Sequence, residues 1–208
     1  MLVISKQGHV EMTRIKVKIF PKIERRRMDK VNGIVVHQTG GPTIQSTFHS
    51  YAHEGANGAH FLIDKDGTIY QTASLYCITN HVGRLQSRCF ITKKCTATEL
   101  QHVTTLEKIK STVEKARAVH NNEYKKNFPD RYPWNVDSIG IEIVGMAYKE
   151  IHNVQGEKTY ESVNEQQNSS LTWLIAELTV TLKVSMTEIY RHPHIGRKNE
   201  TEASTAKW

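Results

Sequence analysis

Hydrophobic and polar residues follow one another along this chain in patterns that predict a mixture of strands and helices. Residues 15–19, IKVKI, alternate apolar and basic side chains, which predicts a strand with one solvated face at the edge of a sheet. The apolar run at 34–36 in GIVVHQTGG predicts a buried strand that ends at His37, before two glycines. In AHFLIDKDGTIYQT, two strand-forming runs flank residues 64–67, so we expect a β-hairpin with glycine in its turn.

Two stretches show the spacing of amphipathic helices. Thr96 and Glu99 form a Thr-x-x-Glu capping signal, and apolar residues then recur at helical spacing as far as Ala116. This predicts one helix of about six turns. Residues 170–184, SLTWLIAELTVTLKV, repeat leucine and isoleucine at the same spacing and predict a second helix with one face in the core.

The remaining segments connect these elements. Residues 127–137 carry two prolines and no periodicity, which predicts a loop that leads into SIGIEIVGMAY, a short buried strand around Glu142. A short apolar piece at 184–190 leads to His192. This order of strands and helices predicts an α/β fold with a mixed central β-sheet flanked by helices.

Length and composition indicate a globular protein with no membrane insertion. The 208 residues suit one domain, and 38% hydrophobic with 24% charged residues is ordinary for a soluble chain. No apolar run approaches the roughly 18 residues that a membrane helix needs. The N-terminus has no apolar stretch of signal-peptide length, so we expect synthesis in the cytoplasm without Sec export.

The net charge of +7 favours a polyanionic partner, either nucleic acid or the anionic bacterial envelope. The densest basic run, KIERRRMDK at residues 22–30, contains no aromatic side chain on which a base could stack. We therefore interpret this run as a solvated basic face and expect no nucleic-acid partner.

The three cysteines exclude a dense disulfide framework. Cys89 and Cys95 lie close enough in sequence to close a local disulfide loop, which would leave Cys77 free. Whether this bridge forms depends on an oxidising compartment, which the residues do not identify. A zinc site made by the cysteines is not indicated, because no CxxC spacing is present.

Two histidines are candidates for a metal site. His37 and His192 each follow an apolar run, so the ends of two central elements could bring their imidazoles together. A catalytic zinc takes three protein ligands and leaves a position for water. Spacing alone leaves the site open, because a histidine at a strand end is more often a hydrogen-bonded structural residue. Nearby residues that could supply the third ligand are His194, Glu200 and Glu202.

Two further residues could carry out chemistry beside such a site. A carboxylate at Glu142, inside an apolar strand, is costly to bury without a partner or a task, and activating water is such a task. The alternative is a position that faces solvent on a half-exposed strand. Lys198 could stabilise a developing oxyanion, or it could be a solvated lysine after a turn.

Five stretches, in this order, resemble a known family: VVHQTGG, GAHFLIDKDGTIYQ, NHVG, SIGIEIVG and HPHIGRK. They are similar to the zinc N-acetylmuramoyl-L-alanine amidases that share a fold with peptidoglycan recognition proteins, over residues 30–204. Within that family, the chain looks most like amidases that bacteria deliver into rival cells by type VI secretion, and like phage-encoded relatives. The resemblance implies hydrolysis of the amide between the lactyl group of N-acetylmuramic acid and L-alanine of the stem peptide.

The resemblance implies a set of zinc ligands. In the family's pattern, His37 and His192 are the two histidine ligands. The third ligand is ambiguous, because the loop after Ile195 is shorter here than in the family. Spacing from the lysine selects Glu200, whereas spacing from the histidine selects Glu202. We expect Glu202, because Thr-Glu-Ala resembles a glutamate variant of this terminus found in delivered amidases.

The resemblance also implies catalytic and binding residues. Glu142 corresponds to the glutamate that activates the zinc-bound water and passes its proton to the leaving amine. Lys198 corresponds to the basic residue that stabilises the oxyanion. Some phage relatives use a tyrosine where this chain has Ala59, which strengthens the case for Glu142. Asn80 and His81 fall where the family lines its substrate groove, although both could be structural, and we take only His81 as a substrate-binding candidate.

These implications predict a Zn²⁺ enzyme acting on peptidoglycan or muropeptides, in one domain spanning 1–208. Residues 1–29 would form an extension with the edge strand. Residues 84–137 would be an inserted helix and loop, longer than compact relatives carry there, serving as a groove wall, a specificity lid or an immunity-protein surface.

The expected biological role is an antibacterial effector that acts in the periplasm of a target cell after delivery and is neutralised by an immunity protein in its producer. Two alternatives are a non-catalytic peptidoglycan-binding module and a cytosolic amidase that recycles muropeptides.

Overall fold

The computed structural model of the protein describes residues 1–149 and 158–208, and its mixed α/β architecture confirms the predicted fold class. The strands are β1 (Ile15–Val17), β2 (Glu24–Arg27), β3 (Gly33–Gly40), β4 (Phe61–Ile63), β5 (Ile69–Gln71), β6 (Cys77–Thr79), β7 (Ser138–Lys149), β8 (Lys158–Tyr160) and β9 (Ile189–Arg191). The helices are α1 (Ile44–Tyr51), α2 (Arg88–Thr92), α3 (Ala97–Glu107), α4 (Thr112–Glu123), α5 (Glu165–Leu182) and α6 (His192–Ile195).

The central sheet has the strand order β1-β5-β4-β7-β3-β9, and β8 pairs with the far end of β7. Strands β4, β7, β3 and β9 run parallel to one another, while β4 and β5 form the predicted antiparallel hairpin. Gly67 has φ of 81° in that hairpin turn, a backbone conformation that favours glycine. Strand β1 lies at the sheet edge as predicted, although of its two apolar residues only Ile15 is buried.

Strand β3 does not end at His37, as the sequence pattern predicts, but continues to Gly40. The cause is its neighbour β7, which is 12 residues long and still pairs with β3 at Gln38 and Gly40. His37 therefore lies inside β3, which pairs with β7 both before and after this residue. Its position is more rigid than a strand end would be.

The single helix predicted from Thr96 is wrong, because the segment folds as the two helices α3 and α4. Thr96 does cap α3, and its side chain accepts the backbone N–H of Glu99. A second cap interrupts the helix, since Ser111 accepts the N–H of Glu114 and begins α4. Val113, which the continuous helix would place on the apolar stripe, is 66% exposed.

The two faces of the sheet have different roles. Helix α5 begins at Glu165, five residues before the predicted start, behind a capping box made by Asn164 and Gln167. It covers one face, and its buried leucines pack with alternate residues of β3 and β7 in the main core. Because neighbouring residues of a strand point to opposite faces, His37 and Glu142 face away from this core.

The segment 84–137 contains α2, α3, α4 and the predicted loop before β7. Cys89 and Cys95 are joined by a disulfide that links α2 to the residue before the cap of α3, and Cys77 is free. The basic run at 22–30 contains β2, which pairs with β6 in a separate two-stranded sheet. Within the described ranges, no helix is long and apolar enough to cross a membrane.

Candidate active site

His37, His192 and Glu202 meet on the sheet face opposite α5. Strands β3 and β9 are parallel, with Val36 opposite Arg191, so the next residues along each chain, His37 and His192, lie side by side. Their Nδ1 atoms are 2.8 Å apart. Glu202 Oε1 lies 3.0 Å from Nδ1 of His192 and 3.6 Å from Nδ1 of His37. All three side chains are buried.

Hydrogen bonds on the far side of each ring determine which nitrogen carries the proton. Nε2 of His192 donates to the carbonyl oxygen of Val82, at 2.6 Å. Nε2 of His81 faces the carbonyl oxygen of Ser138, at 3.3 Å, so this nitrogen also carries a proton. Nδ1 of His81 must then accept from Nε2 of His37, at 3.0 Å. Both Nδ1 atoms of the cluster are therefore left with lone pairs.

Three acceptors, two imidazole nitrogens and one carboxylate oxygen, thus converge in a buried space without a donor between them. A divalent cation relieves this repulsion, and two histidines with a carboxylate match the ligand types of catalytic zinc sites. The bonds to Val82 and His81 are the outer-shell contacts that orient metal-binding histidines. The residues present therefore fit a zinc ion.

The electrostatics keep the cluster in its metal-binding protonation state. Burial, and next the charge of His192, lower the pKa of His37 to about 4. Burial raises the pKa of Glu202, but its interactions with the adjacent imidazoles of His192 and His37 lower it by more, so the pKa falls below its usual range. At neutral pH, His37 is neutral and Glu202 is ionised, as ligation requires.

Glu142 lies on β7 directly opposite His37 in the sheet register. Burial raises the pKa of its carboxyl, with a smaller contribution from the negative charge of Glu202. The hydroxyl of Tyr51, at the end of α1, donates to Oε2 of Glu142 at 2.6 Å and accepts the N–H of Ala59 at 3.1 Å. Sequence reasoning missed Tyr51, because nothing in its local pattern distinguishes it from a core aromatic residue.

These residues line a cleft of about 590 Å³. Lys198 is exposed at its wall, whereas Glu200 and His194 are exposed elsewhere and do not line it. Glu202, the third ligand expected from the sequence, is the carboxylate that meets the histidines. The polar and aromatic side chains that complete the lining are Gln38, Thr39, Asn57, Asn80, His81, Trp134, Asn135 and Tyr160.

His81 has a different environment from the one expected of a substrate-binding residue. Both of its ring nitrogens are hydrogen-bonded within the protein, and burial together with the neighbouring histidines lowers its pKa well below the usual value. Its contacts favour the structural alternative, in which it orients His37. Asn135 holds this loop in place, since its Oδ1 accepts the backbone N–H groups of His81 and Val82.

The segment 84–137 contributes one wall of the cleft. Trp134 lies at the end of this segment, and its indole N–H donates to the carbonyl of Gly83 at 2.8 Å. Gln86 holds the segment against α6, because its side chain donates to the carbonyls of Pro193 and Gly196. Of the three roles considered for this segment, these contacts support that of a groove wall.

Comparison with protein families gives a match over residues 27–203 to Amidase_2, the N-acetylmuramoyl-L-alanine amidases. The chain belongs to this family. It is therefore an enzyme of the N-acetylmuramoyl-L-alanine amidase class, and the matched range nearly coincides with that of the motifs. Comparison with curated proteins gives no match.

Solved structures with TM-scores of 0.50 or more show the same fold. The amidase is 16% identical to a selenomethionine derivative of AmpD, with a TM-score of 0.57 and coverage of 100% of this chain and 96% of that one. It is 18% identical to the catalytic domain of XlyA, with a TM-score of 0.50 and coverage of 88% and 87%. LysC from Clostridium intestinale URNW, an N-acetylmuramoyl-L-alanine amidase, is 17% identical over 90% of this chain and 87% of that one, with a TM-score of 0.49.

Proposed function

We propose that this amidase is a zinc enzyme that hydrolyses the amide between N-acetylmuramic acid and L-alanine in peptidoglycan. The observation that carries the proposal is the buried cluster of three acceptors, His37, His192 and Glu202, which opens onto a cleft beside Glu142. A non-catalytic binding module has no need for this cluster. Its intact donor set therefore favours the enzyme.

His37, His192 and Glu202 would hold the ion. When bound, zinc supplies the Lewis acidity that polarises the scissile carbonyl and makes water nucleophilic near neutral pH. Glu142 takes the proton of the attacking water and returns it to the leaving amine, a cycle for which its raised pKa is suited. Tyr51 fixes the direction of that carboxylate. Lys198 supplies positive charge on the cleft wall for the developing oxyanion.

We also propose delivery of the enzyme into the periplasm of a target cell, with an immunity protein as partner. The motif resemblance supports this role, and so does the Cys89–Cys95 disulfide, because disulfides persist in oxidising compartments. An enzyme that recycles muropeptides in the cytosol would keep these thiols reduced. Expressing the protein in a host with and without an export signal tests the role. The host cells are expected to lyse only when the protein carries the export signal. Survival of cells that export the protein would contradict the proposed periplasmic role.

The activity is tested by metal analysis together with mass spectrometry of the products released from purified sacculi. We expect about one zinc per chain, free stem peptides that begin with L-alanine, and loss of both zinc and activity after chelation. Chelator-resistant release would contradict the zinc assignment. Binding of sacculi without release of peptide would indicate the non-catalytic module.

Two variants separate metal binding from proton transfer. Glu142→Gln is expected to keep zinc and to lose about 10²–10⁴-fold in kcat, since only the proton acceptor is removed. His37→Ala is expected to lose the zinc itself. Zinc content and product release are measured on the same preparations. Wild-type turnover by Glu142→Gln would exclude its role as the base.

A further inference from the structure

Gln38, the residue after His37 in β3, connects this strand to the turn that carries Glu202. Its side-chain oxygen accepts the backbone N–H of Ala203 at 2.8 Å. Its amide nitrogen donates to the carbonyl oxygen of Glu161, also at 2.8 Å. Gln38 is only 5% exposed, and its bond to Ala203 is buried. The amide therefore fixes the peptide group that immediately follows Glu202.

Only one orientation of this amide satisfies both contacts. Exchanging its oxygen and nitrogen would set an NH₂ group against the N–H of Ala203 and a carbonyl against the carbonyl of Glu161. A glutamate could not donate to Glu161, and an asparagine is shorter by one methylene. Glutamine is the side chain that provides an acceptor, a donor and the required reach.

The turn that Gln38 holds has a backbone conformation that needs support. Ala203 has φ of 54°, in the left-handed region that costs a non-glycine residue about 1–2 kcal/mol. Side chains hold both of its peptide groups, because Gln38 accepts its N–H and Nε of Arg191 donates to its carbonyl at 3.0 Å. Without these bonds the turn can relax, and the direction of the Glu202 side chain changes with it.

Gly145 in β7 provides an independent observation. A Cβ atom at this position would lie 2.4 Å from Nε2 of Gln38, and the three nearest atoms to it all belong to the Gln38 side chain. The backbone of Gly145 does not have a positive φ, so conformation does not require a glycine here. The absent side chain makes room for Gln38.

We infer that Gln38 is a positioning residue for Glu202 and that Gly145 makes room for it, so that this pair determines how tightly the site holds zinc. The inference rests on the proposed zinc site. It means that two consecutive residues of β3 organise two of the three ligands, His37 directly and Glu202 through the turn at Ala203.

The main test compares Gln38→Met with a matched control, Gln167→Met. Gln167 is also a buried glutamine with two bonds, since it donates to Val144 and accepts the N–H of Asn164, but it does not contact the ligand turn. Competition with a chromophoric chelator is expected to show that Gln38→Met weakens zinc binding by roughly tenfold. The visible spectrum of the Co²⁺-substituted variant is expected to change. Gln167→Met is expected to lower thermal stability while zinc affinity and the Co²⁺ spectrum stay at wild-type values.

Gly145→Ala tests the contact between Gln38 and Gly145 by changing the glycine instead of the glutamine. Its Cβ is expected to displace the Gln38 amide and to weaken zinc binding as much as Gln38→Ala does. The double variant Gln38→Ala/Gly145→Ala is expected to bind zinc with the same affinity as Gln38→Ala alone. Once the Gln38 amide is removed, the Cβ atom at position 145 has no side chain to clash with. Such non-additivity indicates direct coupling between the two positions.

Two results would overturn the inference. One is a Gln38→Met variant with wild-type zinc affinity and Co²⁺ spectrum, and the other is additive losses in the double variant. If the wild-type protein itself bound no zinc, the proposed function would fail first. If it bound zinc and hydrolysed peptidoglycan while Gln38→Met matched it, only the role of Gln38 would be excluded.

Discussion

At the scale of single residues, the protonated nitrogen of each imidazole determines what the cluster can bind. The bonds from His192 to Val82 and from His37 to His81 leave both inner nitrogens unprotonated. The apolar runs made His37 and His192 candidates for a metal site, and the family resemblance then implied that both are ligands. Their partners Val82 and His81 come from a loop more than 40 residues from either histidine, so no local pattern could connect them.

A prediction at this scale concerns Tyr51→Phe. The tyrosine hydroxyl donates to Glu142 and lowers the pKa of its carboxyl, against the dominant effect of burial. Removing the hydroxyl is therefore expected to raise this pKa further and to move the acid limb of the kcat/KM profile to higher pH. Turnover should fall less than in Glu142→Gln. Tyr148→Phe, at an exposed site on the same strand, serves as the control, and superimposable profiles for all three proteins would refute the role of Tyr51.

At the scale of elements, the errors of the sequence analysis have physical causes. Strand β3 is extended by pairing with β7, a contact between segments more than 100 residues apart that no local window includes. The helix from Thr96 is divided because Ser111 caps a new helix where the apolar spacing alone would continue the old one. The strand and helix types predicted for these segments are correct, whereas short elements such as α1, α2, β2 and β6 were not predicted from the sequence.

The environment of His60, just before β4, leads us to expect that the stability of the protein depends on pH. Its Nε2 donates to Cys77, and its Nδ1 accepts the N–H of Gly140, so the neutral ring joins β6 to β7. Burial lowers its pKa from 6.5 to about 4. Between these values the unfolded chain binds more protons, so the free energy of unfolding falls as pH drops from 6.5 to 4, by about 3 kcal/mol from this group.

Urea unfolding at a series of pH values between 7.5 and 4.5 measures this effect. His60→Asn keeps an acceptor close to the backbone but does not titrate, so its stability is expected to fall less steeply over the same range. The other buried histidines are present in both proteins, so the difference between the two slopes reports mainly on His60. Equal slopes would contradict the assignment.

The disulfide between Cys89 and Cys95 closes a short loop at the start of the cleft wall. Restricting the unfolded chain in a loop of this length stabilises the fold by about 2 kcal/mol. A reductant is expected to lower the free energy of unfolding of the wild type by that amount and to leave Cys95→Ser unchanged. Cys77→Ser, which leaves the bridge intact, should respond to the reductant as the wild type does.

At the scale of the whole molecule, the charge is unevenly distributed. The first 30 residues contain nine lysines and arginines and three acidic residues, which accounts for nearly all of the net charge of +7. Lys16 on edge strand β1 and Lys18 just after it are both exposed, and neither lines the cleft. Long-range attraction of this kind accelerates encounter with a polyanionic wall and is screened by salt.

We therefore expect added salt to slow hydrolysis of intact sacculi more than hydrolysis of a small muropeptide. Lys16→Glu/Lys18→Glu should lower the rate on sacculi at low ionic strength and leave the muropeptide rate unchanged, because the cleft is untouched. Rates on both substrates at about 0.02 M and 0.3 M salt provide the measurement. An equal salt effect on the two substrates would show that the charge has no part in recognition.

The sequence by itself determined the fold class, the family and most of the residues that carry the proposed chemistry, among them His37, His192 and Glu142. These properties depend on local periodicity and on short motifs, both of which are contained in consecutive residues. The tertiary structure decided which carboxylate joins the two histidines, which nitrogens are free to bind, and how Tyr51 and Gln38 support the site. These depend on contacts between segments far apart in the chain, and such contacts exist only once the sheet has set its strand register.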